Sequence, residues 1–481
     1  MPAKPIETVA LVSLGCPKNL VDSERMLGLL AEDGLAVTGD LACADAIVIN
    51  TCGFLEASKI ESIKEIRDAV RLKEQGVCQR VIVAGCLVQR HKTQLIAEVP
   101  GIDRLVGVFD REHVVAAVRG KANADTEHGH FLGKYHQLSR KNSDKNVRIF
   151  EDDRSRFRLT PRHFAYLRVS EGCNQGCTFC TIPSIRGPMR SKPIDQIMAE
   201  ARELAADGAV ELNLIGQDTT SYGTDISYVP GLSGLLAELD KNLPDVHWLR
   251  LMYAYPSCFT DAMIRTIASC ERVLPYIDMP LQHVNDEILA RMHRRVTRKE
   301  IEILLGKLRD WIPGITIRTT FIAGSPGETQ AQHEELVRFV KEFGFDMMGV
   351  FPYSREDGTA MGRREDQLAD NVKQARVEEL MLAQQEIAFA KARSMCGKTI
   401  TVMVERPTDV AKRTWLARGK HQAPDIDSST TLNAAGLHPG QILDVRVTDC
   451  DGYDLIAEMP RKKSRSLAVI MSYGTPPAVG G

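Results

Sequence analysis

The sequence predicts an α/β protein in three parts: an N-terminal doubly wound parallel-sheet domain, a central partial (β/α) barrel and a small C-terminal all-β barrel. Three observations carry this. Short apolar runs alternate with helical patterns over residues 6–120. The same alternation recurs in longer units over 159–396. β-Branched segments divided by turn residues fill 399–465.

In the first part, strand-like runs fall at 8–14, 46–50, 80–84 and 104–108, and amphipathic stretches at 22–32 and 58–75 separate some of them. Parallel strands need such crossovers, so the alternation implies a parallel sheet. Cys16, Cys52 and Cys86 each sit just past one of these strands, beside Gly15, Gly53 and Gly85. In open α/β sheets the strand ends line the ligand crevice. Three distant thiols would therefore converge, as a three-thiolate iron–sulfur site requires. Three small buried cysteines fit the same spacing.

In the second part, strand-like runs at 165–169, 210–215, 248–253, 276–279, 316–322 and 347–351 alternate with helical patterns at 194–206, 260–269, 299–311 and 330–343. Repeated β–α units predict a barrel or partial barrel with its chemistry at the C-terminal strand ends. The first strand delivers Gly172-Cys173-Asn174-Gln175-Gly176-Cys177-Thr178-Phe179-Cys180, a C-x3-C-x2-C pattern. Three thiolates can hold three irons of a [4Fe–4S] cube and leave the fourth open. Such an open iron usually chelates S-adenosylmethionine. A zinc site would want a fourth ligand at paired spacing, and disulfides this close would be strained. Residues 357–390 read as a helix-rich exit from the barrel.

The third part has strand patterns at 399–404, 441–447 and 453–458, divided by turns at Pro439-Gly440 and Asp451-Gly452. Residues 121–158 read as a solvated linker or insertion, His128 and His130 included, and 466–481 as a flexible tail.

The 43% hydrophobic and 26% charged content is that of a globular protein. A net charge of −2 gives no whole-molecule attraction to nucleic acid, although it leaves room for a local basic patch. No run is apolar enough to span a membrane, and the N-terminus lacks a signal-peptide layout. A cytoplasmic location is expected, with the twelve cysteines as thiols or metal ligands.

These residues carry a resemblance. The chain resembles the radical S-adenosylmethionine methylthiotransferases along their whole domain order. The stretches 13–24 (around Gly15-Cys16-Pro17-Lys18-Asn19), 181–191 and 422–427 look like the RimO type, which modifies an aspartate of the twelfth protein of the small ribosomal subunit. The resemblance implies an N-terminal methylthiotransferase domain (6–120) whose Cys16, Cys52 and Cys86 bind an auxiliary [4Fe–4S] cluster. It implies a radical core (159–396) with Cys173, Cys177 and Cys180 on the catalytic cluster, and a TRAM domain (399–465). Two clusters, S-adenosylmethionine, an external electron donor and an unidentified sulfur source follow. The family's other branch modifies adenosine in transfer RNA and is the alternative. Asp425 and Asp427 would favour a basic protein over a phosphate backbone, against the mixed charges of Lys412, Arg413, Arg418 and Lys420.

Further cofactor contacts are expected at Phe179, Gln217, Tyr222, Arg250, Gln282, Arg318 and Phe351, which lie in the cysteine loop or within or just past barrel strands. Cys43, Cys78, Cys258, Cys270, Cys396 and Cys450 read as ordinary thiols.

Overall fold

The computed structural model describes residues 5–122, 129–133, 152–409, 411 and 413–460. His128 and the 466–481 tail lie outside them.

The first sheet comprises β1 (Thr8–Ser13), β2 (Ala36–Thr38), β3 (Ala46–Thr51), β4 (Arg80–Gly85) and β5 (Arg104–Val106), in the order β2-β1-β3-β4-β5. Every pairing is parallel. The order reverses between β1 and β3, which places the ligand crevice at their C-terminal ends. The β3 and β4 interiors are apolar on both faces: Ile47, Ile49, Val81 and Val83 pack on one side, Val48 and Ile82 on the other. Helices α1 (Pro17–Glu32), α2 (Glu56–Glu74) and α3 (Cys86–His91) follow β1, β3 and β4. Helix α1 begins five residues before the pattern at 22–32 suggests, because Pro17 suits a first helical turn.

The 121–158 segment is not simply solvated. Phe131 bridges to Val106 in parallel, and His130 is buried. Asp153 is fully buried against Arg168 and Lys192.

The central sheet runs β6 (Phe164–Arg168), β9 (Glu211–Ile215), β10 (Trp248–Leu251), β11 (Val273–Asp278), β12 (Thr316–Ala323) and β13 (Met347–Pro352), all parallel and in chain order. Two short strands, β7 (Ser170–Glu171) and β8 (Arg190–Ser191), pair antiparallel beside it. Alternation along each strand separates two faces. Leu167, Leu212, Leu214, Leu249, Leu251, Ile317 and Phe321 pack in the main core with the helices. Phe164, Tyr166, Trp248 and Tyr276 occupy the concave face with Met403 and Ala423 of the third part.

Helix Asp370–Met395 leads to a closed barrel of β14 (Thr399–Asp409), β15 (Thr414–Gly419), β16 (Thr430–Asn433), β17 (Ile442–Asp451) and β18 (Asp454–Glu458). Among the described residues, no helix is long and apolar enough to cross a membrane.

Candidate active site

Cys16 precedes α1, Cys52 follows β3 and Cys86 opens α3, so all three thiols sit at the C-terminal edge of the first sheet. Two glycines allow this crowding. Gly15 has φ +92°, and a Cβ there would come within 2.8 Å of Cys52 Cβ. Gly85 has φ +96° and backs onto Asn50 and Thr51. The Asn19 amide donates to the carbonyls of Leu14 (2.8 Å) and Thr51 (3.0 Å), sewing the β1 and β3 loops together. Burial pushes the Cys86 thiol up to about 12, and the neighbouring Cys16 and Cys52 push the same way. Burial also raises Cys52.

The second thiol group lies in the loop after β7. Gly172, at φ +79°, lets the backbone pass close to Gly187 and Pro188, and Cys173 N–H donates to Gly187 O at 3.2 Å. Cys180 N–H donates to Cys177 O at 3.1 Å, folding the loop on itself. Gln175 fastens it to Asp218 at 2.6 Å, and Thr178 Oγ1 donates to Arg291 O at 2.6 Å. Backbone N–H groups of Gln175 and Ile182 point at the sulfurs of Cys173 (3.5 Å) and Cys180 (3.4 Å). Burial lifts Cys173 to about 11 and Cys180 to about 12. Tyr255 Oη lies 3.9 Å from Cys177 Sγ, and the Arg294 guanidinium stacks 4.0 Å over the Tyr255 ring.

A buried ionic network joins the two groups. Arg186, in the segment after Cys180, donates to Cys86 Sγ (3.2 Å), Asn19 Oδ1 (2.8 Å), Asp22 (2.9 Å) and Glu171 (3.0 Å). Arg168 binds the same Asp22 (2.8 Å) and Glu171 (2.6 Å), and Arg111 also reaches Asp22 (2.8 Å). Burial alone would raise Asp22, but the three guanidiniums outweigh it and hold the carboxyl at about 2. Beside this network, Lys18 Nζ lies 3.3 Å over the Tyr253 ring.

The expected cofactor contacts divide. Gln217 lies at this site: its amide donates to Glu171 at 2.5 Å, while its buried Oε1 has no partner among the described residues. Gln282, at φ +73°, likewise keeps a buried, unpartnered Oε1. Phe179 packs with Ile288, Met292 and Tyr353 beneath the loop. Phe351 is 52% exposed on edge strand β13.

One expectation needs correction, and two further side chains serve an additional role. Tyr222 lies in the helix-side core, and its hydroxyl donates to Lys192 O at 2.9 Å. Arg250 reaches the concave face beside Asn213, its register partner on β9, and binds Glu211 (2.8 Å) and, from the small barrel, Lys420 O (2.9 Å). Arg318 binds Asp278 (2.8 Å) and Asp427 (3.3 Å) in the same region. Both arginines tie the core to the small barrel, and Arg250 Nη2 is buried with no partner among the described residues. The charge argument changes with them. Asp427 faces inward, accepting from Tyr276 Oη (2.7 Å) and Ala423 N–H (2.9 Å), so of the pair only Asp425 is exposed.

The sequence reading passed over Lys18, Arg186, Asn213, Tyr255 and Arg294. Lys18 and Arg186 had a signal, their places in the 13–24 and 181–191 stretches. Asn213, on the concave face of β9, has neither amide atom partnered among the described residues.

These observations fit iron–sulfur clusters and S-adenosylmethionine. Each thiol group brings three soft donors together, and burial raises Cys52 and Cys86 in one group and Cys173 and Cys180 in the other, so a metal binding there would displace protons. The orphaned amide atoms of Asn213, Gln217 and Gln282 match a polar ligand in the concave face.

Fold and site together define a three-domain radical S-adenosylmethionine protein. Residues 167–340 match the Radical SAM superfamily, residues 8–107 match Uncharacterized protein family UPF0004, and residues 396–459 match the TRAM domain. The chain is 41% identical over 453 residues to the ribosomal protein uS12 methylthiotransferase RimO of Geobacter sulfurreducens, spanning 94% of this chain and 98% of that one. It is 42% identical to the protein of the same name from Geotalea uraniireducens, with the same coverage. The chain belongs to the RimO family of methylthiotransferases. Among solved structures, the radical S-adenosylmethionine methyltransferase TsrM of Kitasatospora setae, with cobalamin and a [4Fe–4S] cluster bound, shares the fold. Its TM-score is 0.53 at 17% identity, over 74% of this chain and 77% of that one.

Proposed function

We propose that this protein adds a methylthio group to the β-carbon of an aspartate in ribosomal protein uS12. The observation that carries the reading is the pair of three-thiol groups at the C-terminal ends of two parallel sheets, tied together by buried Arg186. Near-full-length similarity to enzymes named for uS12 supports the substrate.

Cys173, Cys177 and Cys180 would hold the catalytic cluster, and Cys16, Cys52 and Cys86 the auxiliary one. When bound, the clusters and S-adenosylmethionine supply radical chemistry at an inert C–H bond and a place for sulfur. The chain itself positions and shields. Asn213, Gln217 and Gln282 offer amide groups to the polar parts of S-adenosylmethionine. The buried network of Asp22, Glu171, Arg168 and Arg186 ties Cys86 to the strand that leads into the Cys173 loop.

The test is anaerobic incubation of the cluster-loaded enzyme with S-adenosylmethionine, reductant and sulfide, with either uS12 or unmodified transfer RNA. Mass spectrometry should find a methylthio gain on one uS12 aspartate. A gain on transfer RNA alone would overturn the substrate, and cofactor cleavage with neither product would leave only the radical core standing.

A further inference from the structure

Three donor side chains meet outside this site, where the last helix of the core joins the small barrel. Sγ of Cys396, a carboxylate oxygen of Asp449 and Sγ of Cys450 all lie within 4.8 Å of one another. Cys396 directly follows helix Asp370–Met395 as its C-terminal cap, while Asp449 and Cys450 lie near the end of β17.

An irregularity in β17 creates the meeting. Arg446 pairs with Glu458 and Val447 with Ala457, but the next pairs are Asp449 with Ile456 and Cys450 with Leu455. Thr448 is therefore the extra residue of a β-bulge. In an unbroken strand Cys450 would continue the exposed face of Arg446 and Thr448. The bulge resets the alternation and turns Cys450 toward Ala392 and Met395 of the helix. The Asp449 carboxylate folds back to accept Cys450 N–H at 2.8 Å, which keeps it beside the thiol. Cys396 is held from the other side. Gly397, at φ +85°, donates to Val447 O at 2.8 Å, and Val447 donates to Lys398 O at 2.9 Å. The chain leaving the helix is thus clamped along β17.

The chemistry of the spot favours a cation. Two thiols and a carboxylate lie at the C-terminal end of a 26-residue helix, where unsatisfied carbonyls carry partial negative charge. Arg393 is the positive group acting on Cys450. Paired sulfur donors select a thiophilic ion, and zinc accepts three protein ligands with water as the fourth. In a tetrahedral site with Zn–S bonds of about 2.3 Å, sulfurs lie about 3.8 Å apart. The present donors, all within 4.8 Å of one another, lie near that spacing.

We propose that Cys396, Asp449 and Cys450 bind one thiophilic divalent cation of the zinc class, leaving the fourth position to water and clipping the core's last helix to the small barrel.

The test uses the full-length protein, purified anaerobically with its clusters, equilibrated with Zn²⁺ and desalted. Elemental analysis should find one zinc per chain beyond that of the Cys396→Ser, Cys450→Ser double variant, with equal iron in both. Iron content reports folding, so a misfolded variant is recognised. Zinc K-edge absorption of the wild type should show two sulfur neighbours, and Asp449→Asn should lose part of the bound zinc. Equal zinc in wild type and double variant overturns the site, as does a wild type that retains none. A Cys396–Cys450 disulfide in protein kept anaerobic overturns it too.

Discussion

Arg186 Nη2 lies 3.2 Å from Cys86 Sγ, across 100 residues of chain. One side chain from the radical core thus touches a thiol of the N-terminal domain, while its other nitrogen binds Asp22 and Glu171. Arg186→Ala removes the fork and leaves two buried carboxylates short of a partner. Breaking a buried ion pair from one side costs about 3–5 kcal/mol. The thermal midpoint should fall sharply. Arg186→Lys keeps the charge without the planar fork, so it should recover only part of the loss. The electron paramagnetic resonance signal of a cluster bound at Cys86 should shift in both variants, which a purely scaffolding role would not cause.

The two thiol groups are separable in experiment. Replacing Cys173, Cys177 and Cys180 by Ala should remove about half of the reconstituted iron, as one of two like clusters, and all cleavage of S-adenosylmethionine. Replacing Cys16, Cys52 and Cys86 should remove the other half and spare cleavage, while abolishing methylthio transfer. Iron analysis and product chromatography read both. Loss of cleavage in the second set would contradict the division of roles.

How much of this was written in the sequence depends on distance along the chain. Strands β3 and β4 were legible because both faces are buried and their apolar runs are unbroken. The cysteine loop was legible because all three thiols lie within eight residues. The hold of Arg250 and Arg318 on the small barrel was not legible, because alternation gives a strand face but not which part of that face another domain fills. The plug comes from Lys420 and Asp427, on a domain far along the chain. Strand β16 has four residues and β15 mixes polar and apolar ones, so neither stood out. The pairing of Cys396 with Cys450 depends on a bulge, which leaves no periodic trace.

Asp427 tests the plug. Asp427→Ala withdraws an acceptor from Tyr276, Arg318 and Ala423 together and leaves the Arg318 charge on Asp278 alone. A loss of about 3 kcal/mol is expected. Limited proteolysis should then cut between the core and the small barrel sooner than in the wild type. If Asp427 instead met a basic partner, the variant would keep its stability and lose only substrate affinity.

Tyr222 offers a sharper contrast between a structural and a cofactor-binding role. Tyr222→Phe keeps the ring in the core and deletes one buried hydrogen bond to Lys192 O. The expected cost is about 1 kcal/mol in unfolding free energy. Binding of S-adenosylmethionine, measured by calorimetry on the cluster-loaded enzyme, should not change. A several-fold weaker affinity would return Tyr222 to the cofactor site.

His283 sets a pH dependence away from the thiols. It is fully buried, and burial, with His333 and Arg376 nearby, holds its ring down to about 3. Nδ1 accepts the Asn285 N–H at 3.0 Å, a bond that needs an unprotonated nitrogen. In the unfolded chain the same imidazole titrates near about 6.5. Between those values the unfolded state carries a proton that the folded state does not, so acid favours unfolding. The contribution is complete above about 6.5 and is lost progressively as pH falls toward 3. Asp22, held at about 2, adds to the loss only below its ordinary range near 3.8. Chemical denaturation of the wild type should therefore show stability falling from about pH 7 to 5. His283→Gln can still accept from Asn285 but cannot titrate, so its stability should vary less over that interval. Equal slopes in the two proteins would mean that His283 is not the group responsible.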